Sequence, residues 1–403
     1  MHACFVNRFY FPDQSATAQL LTDLAEHLAD VSENTSVTVV TSDLSYEGAA
    51  LAAGEDSVNG VRVIRVRTTK FGRVNRIGRA LDYATFYISA GLKLLVILRK
   101  DWVCVAKTDP PLISVVCGIA CFLRRAILVN WVQDRFPEVA LELGVPLPPG
   151  TYTVARLLRD WSTRYAAMNV AIGTKMANLV ESANSSNHCE VIPNWAVGEL
   201  KPLPAESSTF RRSLGLSTDK IVIGYSGNLG QAHQWEAIYE LASRLTDVPE
   251  LVFVIVGGGE GYSKLQSRCK ELRNIVFEPY QPLSALNDSL AAIDLHMVLL
   301  KPELEGLIVP SKVYGILGVE RPILFFGDRD GEIGTLVNSN GVGWTYSDSE
   351  IDRAVQQLSD VDVLRRDLAD FQRSYAEDHT TTVSANSSVG KWTELLKALS
   401  TSS

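Results

Sequence analysis

The chain has 403 residues, 46% of them hydrophobic and 21% charged, and a net charge of −8. That length exceeds one ordinary core and suits two or three domains of roughly 100–200 residues each. The composition excludes wholesale disorder, and the acidic balance excludes a general nucleic-acid binder.

Six cysteines (Cys4, Cys104, Cys117, Cys121, Cys189 and Cys269) form no C-x-x-C pair and mostly sit in apolar runs. They read as reduced, buried thiols of a cytosolic protein. No basic region precedes the apolar run His2–Val6, so no secretory signal is expected. The longest uncharged apolar stretch, Pro110 to Leu123, has 14 residues, short of the ~20 that a spanning helix needs.

Along the chain, short β-branched runs alternate with longer amphipathic ones. Strands are expected at His2–Val6, Val37–Thr41, Val61–Val66, Val103–Lys107, Ala126–Trp131, Asn169–Ile172 and Glu190–Ile192. Helices are expected at Ala16–Ala29, Ala80–Leu98, Leu112–Leu123 and Val154–Ala167. The second half repeats the rhythm with strands Ile221–Tyr225, Leu251–Val256, Ile275–Phe277, Leu295–Leu300 and Pro322–Phe326. Helices follow from Trp235 to Leu245, up to Ile293, from Pro310 and from Gly331. Strands separated by helices imply right-handed crossovers, hence an α/β class with largely parallel sheets. Ala196 to Ser208, with two prolines and little periodicity, is the linker. The expected division is residues 1–200, residues 201–380, and a last helical run near Ser384–Leu399 within 381–403 that could pack back on the first domain.

Several constellations can carry chemistry. Gly227-Asn-Leu-Gly230 lies between a strand and a helix, where backbone N–H groups can approach a phosphate, although such turns need glycine on steric grounds alone. Gly257, Gly258 and Gly259 leave room for a flat ligand or make a permissive loop. Neither is a dinucleotide fingerprint, which disfavours a nicotinamide dehydrogenase. The stronger feature is Pro302-Glu-Leu-Glu-Gly-Leu-Ile-Val-Pro-Ser-Lys312. Glu305 stands at a strand's carboxyl end, where open α/β sheets bind ligands, and Gly306 and Leu307 offer backbone donors. Ser311 and Lys312 fall in the first helical turn, where a cation opposes the helix dipole by about 0.3–1 kcal/mol unless an anion is expected there. The alternative is a surface loop with an ordinary ion pair. Asp134 ends a first-half strand, as a ligand carboxylate or a helix cap. Asn194 reads as a turn residue, and Asp328-Arg-Asp330 as a solvated or helix-capping triplet. His233 and His296 are isolated, so no metal is expected.

From Ser57 to Leu81 there is no acid, yet Arg62, Arg65, Arg67, Lys70, Arg73, Arg76 and Arg79 all occur. The run leads into the apolar helix Ala80–Leu98, a pattern suited to an anionic membrane surface or, alternatively, to a solvated strand edge beside a core helix.

Gly224-Tyr-Ser-Gly-Asn-Leu-Gly230, Glu305-Gly-Leu-Ile-Val-Pro-Ser-Lys-Val-Tyr-Gly315 and Trp131-Val-Gln-Asp-Arg-Phe-Pro-Glu138 resemble family 4 retaining glycosyltransferases. The branch they look like serves bacterial exopolysaccharide, colanic acid and O-antigen assembly; Val191-Ile-Pro-Asn194 and Asp330-Gly-Glu-Ile333 fit it too. The resemblance implies a GT-B fold of two facing Rossmann-like domains, acceptor on the first and sugar nucleotide on the second, without an essential metal or cofactor. It implies that Glu305 meets the donor sugar's hydroxyls and that Gly306, Leu307 and Ile308 supply backbone contacts. Lys312 stands where many members carry a ribose-binding glutamate, and offers a diphosphate partner instead. Asn228 and His233 stand where relatives often have phosphate-binding Arg and Lys, which raises the weight on Lys312 with Lys301 assisting. Gly227, Asn228 and Gly230, with Gly257–Gly259, Tyr280 and Gln281 near the base and Ser311 in the helix turn, complete the implied donor site.

The function expected is a hexosyltransferase. It would use a UDP- or GDP-sugar and a polyprenyl-diphosphate-linked glycan, with no nucleic-acid partner. Its place would be the cytoplasmic face of the plasma membrane, held peripherally on the side of Arg73, Arg76 and Arg79. The alternatives are a sugar-nucleotide 2-epimerase, for which only Asp134 and His233 are available as acid/base groups, and a non-catalytic sugar-nucleotide-binding scaffold.

Overall fold

The computed structural model describes all residues except 32–34, 47, 73–75, 184–188, 199, 378–384 and 402–403. The chain forms two compact units. Unit 1 comprises Met1–Asn194, Gly306–Ile308 and Ala385–Ser403; unit 2 comprises Trp195–Glu305 and Val309–Ser384.

Unit 1 is built on eight strands: β1 His2–Val6, β2 Ser36–Ser42, β3 Gly54–Val58, β4 Val61–Val66, β5 Val103–Lys107, β6 Ile127–Val132, β7 Met168–Ala171 and β8 Cys189–Val191. Their order is β3-β4-β2-β1-β5-β6-β7-β8. All neighbours are parallel except β3, which pairs antiparallel with β4. The strands read from β-branched runs lie within a residue or so of their expected bounds. β3 was not expected: Gly-Glu-Asp-Ser-Val lacks apolar alternation and is an exposed edge. It is made by a two-residue hairpin whose Asn59 and Gly60 take φ of 48° and 80°, the backbone an Asn-Gly turn favours. β3 also corrects the view of the basic run. Glu55 binds Arg62 at 2.6 Å and Lys93 at 2.8 Å, which hold its carboxyl down at about 2, and Asp56 lies 3.8 Å from Arg65. Part of the positive stretch is therefore neutralised from across the hairpin.

The helix Arg76–Ile97 lays Phe86, Ala90, Leu94 and Ile97 into a core shared with Val40, Ile64, Cys104 and Cys117. By length and composition alone, Ile77–Ile97 is apolar enough to cross a membrane; that inner face packs on the sheet. Gly91 admits Val116 of the neighbouring helix Ile113–Arg124 so closely that an added Cβ would stand 3.0 Å from it. Gly118 does the same for Trp161 of the helix Thr151–Tyr165. All six cysteines are free, and five are buried. The helix Ala385–Thr401 closes this unit: its Trp392 lies 4.7 Å from Trp131, and both rings are buried.

Unit 2 carries β9 Ile221–Asn228, β10 Leu251–Gly258, β11 Ile275–Glu278, β12 Leu295–Leu299, β13 Ile323–Phe326 and β14 Gly343–Tyr346. Their order is β11-β10-β9-β12-β13-β14, all parallel. Alternate residues of β9 serve opposite faces, as a pleated strand requires. Ile221, Ile223 and Tyr225 join Leu241 and Leu358 on one side, and Val222 joins Phe210 and Ile293 on the other. A sheet covered on both faces explains its near-continuous apolar strands.

Candidate functional site

β9 does not stop at Tyr225 as expected. It runs on through Ser226, Gly227 and Asn228, paired in register with Val256, Gly257 and Gly258 of β10. The turn expected at Gly227 is therefore strand, bent by glycines with φ of 123° at Gly227 and 134° at Gly257. Gly257 is obligatory, since a Cβ there would lie 2.2 Å from the Gly227 carbonyl oxygen. A Cβ on Gly259 would lie 2.4 Å from the Asn228 side-chain oxygen, and one on Gly258 3.1 Å from the Tyr280 ring. These ends of β9 and β10 thus form a shallow floor of bare backbone beside Asn228 and the exposed Tyr280. Gln281 donates to the Pro279 carbonyl, and Gly230 sits beside the Asn228 amide.

Lys312 comes to this floor from the other side. The helix it opens runs Lys312–Gly318 and is capped at Ser311, so it starts after Pro310 rather than at it. The Lys312 stem is partly exposed, but its Nζ is inaccessible and meets no hydrogen-bond partner. It lies 3.4 Å from the centre of the Tyr225 ring. A Cβ on Gly227 would stand 3.6 Å from it, an ordinary contact; glycine is favoured there by its φ of 123°. Burial pushes the Lys312 pKa well below the ordinary lysine range. His233 packs edge-on to Tyr225 at 6.0 Å and donates from Nδ1 to the Leu299 carbonyl at 2.7 Å. Burial, with Lys312 nearby, lowers its pKa to about 3, so the ring is neutral. Tyr225 and His233, the ring that carries the amine and its neutral neighbour, were not legible as a pair from spacing alone.

Glu305 is placed elsewhere in unit 2. Its Oε1 accepts from the Glu332 backbone N–H at 2.7 Å, the first residue of the helix Glu332–Ser339. A Cβ on Gly331 would meet Glu305 Oε2 at 2.4 Å. The carboxylate thus caps that helix, where the dipole favours negative charge. Of the triplet Asp328-Arg-Asp330, expected to be solvated or helix-capping, Arg329 and Asp330 are exposed, and Asp328 accepts from the Asp330 N–H at 3.0 Å within its own turn. Gly306, Leu307 and Ile308 group with unit 1, and Gly306 takes φ of 75°.

In unit 1, Asp134 follows β6 and is solvent-accessible at the rim of a recess. The crowded protein surroundings, with Asp109 nearby, lift its pKa to about 6. Asn194 is more than a turn residue: it exchanges two amide hydrogen bonds with Gln133, at 2.9 and 2.8 Å. His296 is a core residue bonded to the Leu290 carbonyl. Of the arginines expected at a membrane surface, Arg73 lies outside the described residues, Arg76 opens its helix, and Arg79 is exposed.

No family model matches the chain. Over 314 residues it is 29% identical to WbjE of Pseudomonas aeruginosa, named a probable glycosyltransferase, covering 73% of this chain and 76% of that one. Over 274 residues it is 32% identical to WcaI of Escherichia coli (strain K12), named for colanic acid biosynthesis glycosyl transfer, covering 64% and 65%. Among solved structures, Anabaena HepE in complex with UDP and glucose superposes with a TM-score of 0.69 at 16% identity, over 99% of this chain and 100% of its own. WaaG, a glycosyltransferase involved in lipopolysaccharide biosynthesis, gives 0.70 at 12%, over 98% and 99%. The fold is that of the GT-B glycosyltransferases. The chain is a glycosyltransferase of that fold, related in sequence to those of bacterial surface-polysaccharide biosynthesis.

Proposed function

We propose that the enzyme moves a hexose from a UDP- or GDP-sugar, with retention of configuration and without an essential metal, to a polyprenyl-diphosphate-linked glycan. The observation that carries this reading is Lys312: an inaccessible amine without a hydrogen-bond partner among the described residues, held against Tyr225 beside the glycine-bearing end of β9. A diphosphate laid on Gly227 and Gly258 would supply an anion for this amine and raise its depressed pKa. UDP in the HepE complex favours a nucleotide donor of this kind. In the transfer, the bond from the sugar's C1 to the diphosphate oxygen breaks, and the acceptor oxygen bonds to C1 on the same face. The acceptor's proton passes to the departing diphosphate oxygen. Lys312 stabilises the charge that develops on the leaving group. Glu305 aligns the donor sugar's hydroxyls, and Asp134 meets the acceptor hydroxyl.

We further propose a peripheral seat on the inner face of an anionic membrane. Along the helix Arg76–Ile97, Ile77, Leu81, Ile88, Leu92 and Val96 form one exposed stripe. The neighbouring Phe122 and Leu123 are exposed as well, and Arg67, Lys70 and Arg79 are exposed cations of the same stretch. Such a face suits shallow insertion with electrostatic support.

The test is a panel of UDP- and GDP-sugars, first by thermal stabilisation, since a donor at 100-fold its Kd adds ~2.7 kcal/mol. Labelled donors with inverted membranes follow. Label in the lipid fraction with retained anomeric configuration supports the proposal. Isomerised donor or binding without turnover overturns it.

A further inference from the structure

Unit 1 holds a second buried amine. Lys107 is the last residue of β5, opposite Trp131 of β6. It is 1% exposed, its Nζ lies 3.6 Å from the centre of the Trp131 ring, and among the described residues no hydrogen-bond partner reaches that nitrogen. Desolvation alone depresses its pKa well below the ordinary range. Burying an amine without a partner is unfavourable, and a methionine of similar length would fill the same space without that cost.

The amine borders a cavity of about 50 Å³, lined also by Thr108, Ser114, Asn130, Asp134 and Arg135. Its size admits a few waters or one small group. Two further features favour negative charge there. The 12-residue helix Ile113–Arg124 presents its first turn, Ile113 and Ser114, to the cavity, and its cap residue Leu112 offers no side-chain acceptor. Arg135 is 7% exposed, and its Nε lies 4.0 Å from the Glu138 carboxylate. That carboxylate is engaged by Arg159 at 2.5 and 3.0 Å. The titratable groups facing the cavity are Asp134, Arg135 and Arg159, with Asp109 and Glu138 acting on them from behind.

We infer that this cavity is an oxyanion subsite that takes a single phosphate-type group, bound by Lys107, Arg135 and the amino end of the helix Ile113–Arg124. It deepens the transferase proposal, on which only the link to an acceptor's phosphate rests. An anion beside Lys107 raises its depressed pKa, so binding is linked to proton uptake.

The experiment is calorimetric titration of the full chain with inorganic phosphate, in two buffers of different ionisation enthalpy. A Lys312→Met background keeps the donor site silent. Phosphate binds with proton uptake, and Lys107→Met in that background weakens it at least tenfold and abolishes the uptake. Asp134→Asn leaves the uptake due to Lys107 in place. Lys107→Met melts higher than its parent, whereas a purely structural lysine would make it melt lower. Farnesyl diphosphate and farnesol identify the source. Displacement of phosphate by the first alone assigns the subsite to an acceptor, and phosphate that neither displaces assigns it to the free ion. Equal affinity and uptake with and without Lys107 overturn the inference, as does a failure to bind phosphate. Donor turnover is read separately on the unmodified chain, so loss of either proposal leaves the other standing.

Discussion

Replacing Lys312 by methionine keeps the stem and removes the amine, and two quantities should move in opposite directions. The Nζ is inaccessible and 3.4 Å from the Tyr225 ring centre. A preorganised donor of this kind stabilises the transition state by ~2.7–4 kcal/mol, so kcat should fall by about 10²–10³. Stability of the empty enzyme should rise instead. Burial lowers the folded-state pKa of Lys312, so between that value and the unfolded one the unfolded chain binds more protons than the folded one. Folding stability therefore climbs with pH between the folded value and the unfolded ~10.4, by about 1.4 kcal/mol per pH unit for each such lysine. Lys312→Met should remove that slope and stabilise the chain most at the acid end of the interval. Steady-state turnover with the donor selected by the panel, and urea unfolding at pH 7, 8 and 9, give both numbers. Unchanged kcat together with an unchanged pH slope would refute the assignment.

Other perturbations follow from the same geometry. Gly257→Ala places a Cβ 2.2 Å from the Gly227 oxygen at a φ of 134°, so unit 2 should lose more than ~2 kcal/mol, read by denaturant unfolding. Gly331→Ala has an ordinary φ of −71°, so its effect comes from pushing Glu305 off the helix end and crowding the Asp328 carbonyl at 2.8 Å. Losing that charge-assisted bond should cost ~1.5–3 kcal/mol and weaken donor binding, while Glu305→Gln keeps an acceptor and part of the stability. Asp134, with its pKa raised to about 6, should give an acid limb in the kcat profile as the carboxylate protonates below that value, and Asp134→Asn should erase the limb. Ile88, Leu92 and Val96 changed together to serine should reduce sedimentation with anionic vesicles without altering turnover in detergent.

Most parallel strands could be read to within a residue or so, because a strand buried on both faces is a nearly unbroken apolar run; the parallel edge strand β14, Gly343–Tyr346, was not read at all. β3 escaped because an edge strand needs no apolar face, although the Asn59-Gly60 turn that makes it was visible in the sequence. β9 was cut short because Ser226-Gly-Asn228 looks like a turn. Pairing with the glycines of β10 keeps it extended, and pairing is a long-range fact. At the candidate site, Lys312 was singled out because a cation in a first helical turn opposes the dipole unless an anion is expected there. Its contact with Tyr225 depends on two elements meeting, which no local pattern encodes. Lys107 was read as a strand end. That its amine is buried without a partner is a property of the folded surroundings.

The packing of Trp392 on Trp131 has a consequence for the order of assembly. The strand that carries Trp131 is synthesised early, whereas the helix that covers its indole follows the whole of unit 2. A nascent first half therefore waits with an apolar ring uncovered until that helix leaves the ribosome. A fragment ending at Asn194 should bind hydrophobic dyes and aggregate unless Ala385–Thr401 is supplied as a peptide. Because Lys107 rests on the same indole, the anion cavity should take its final form only at that last step.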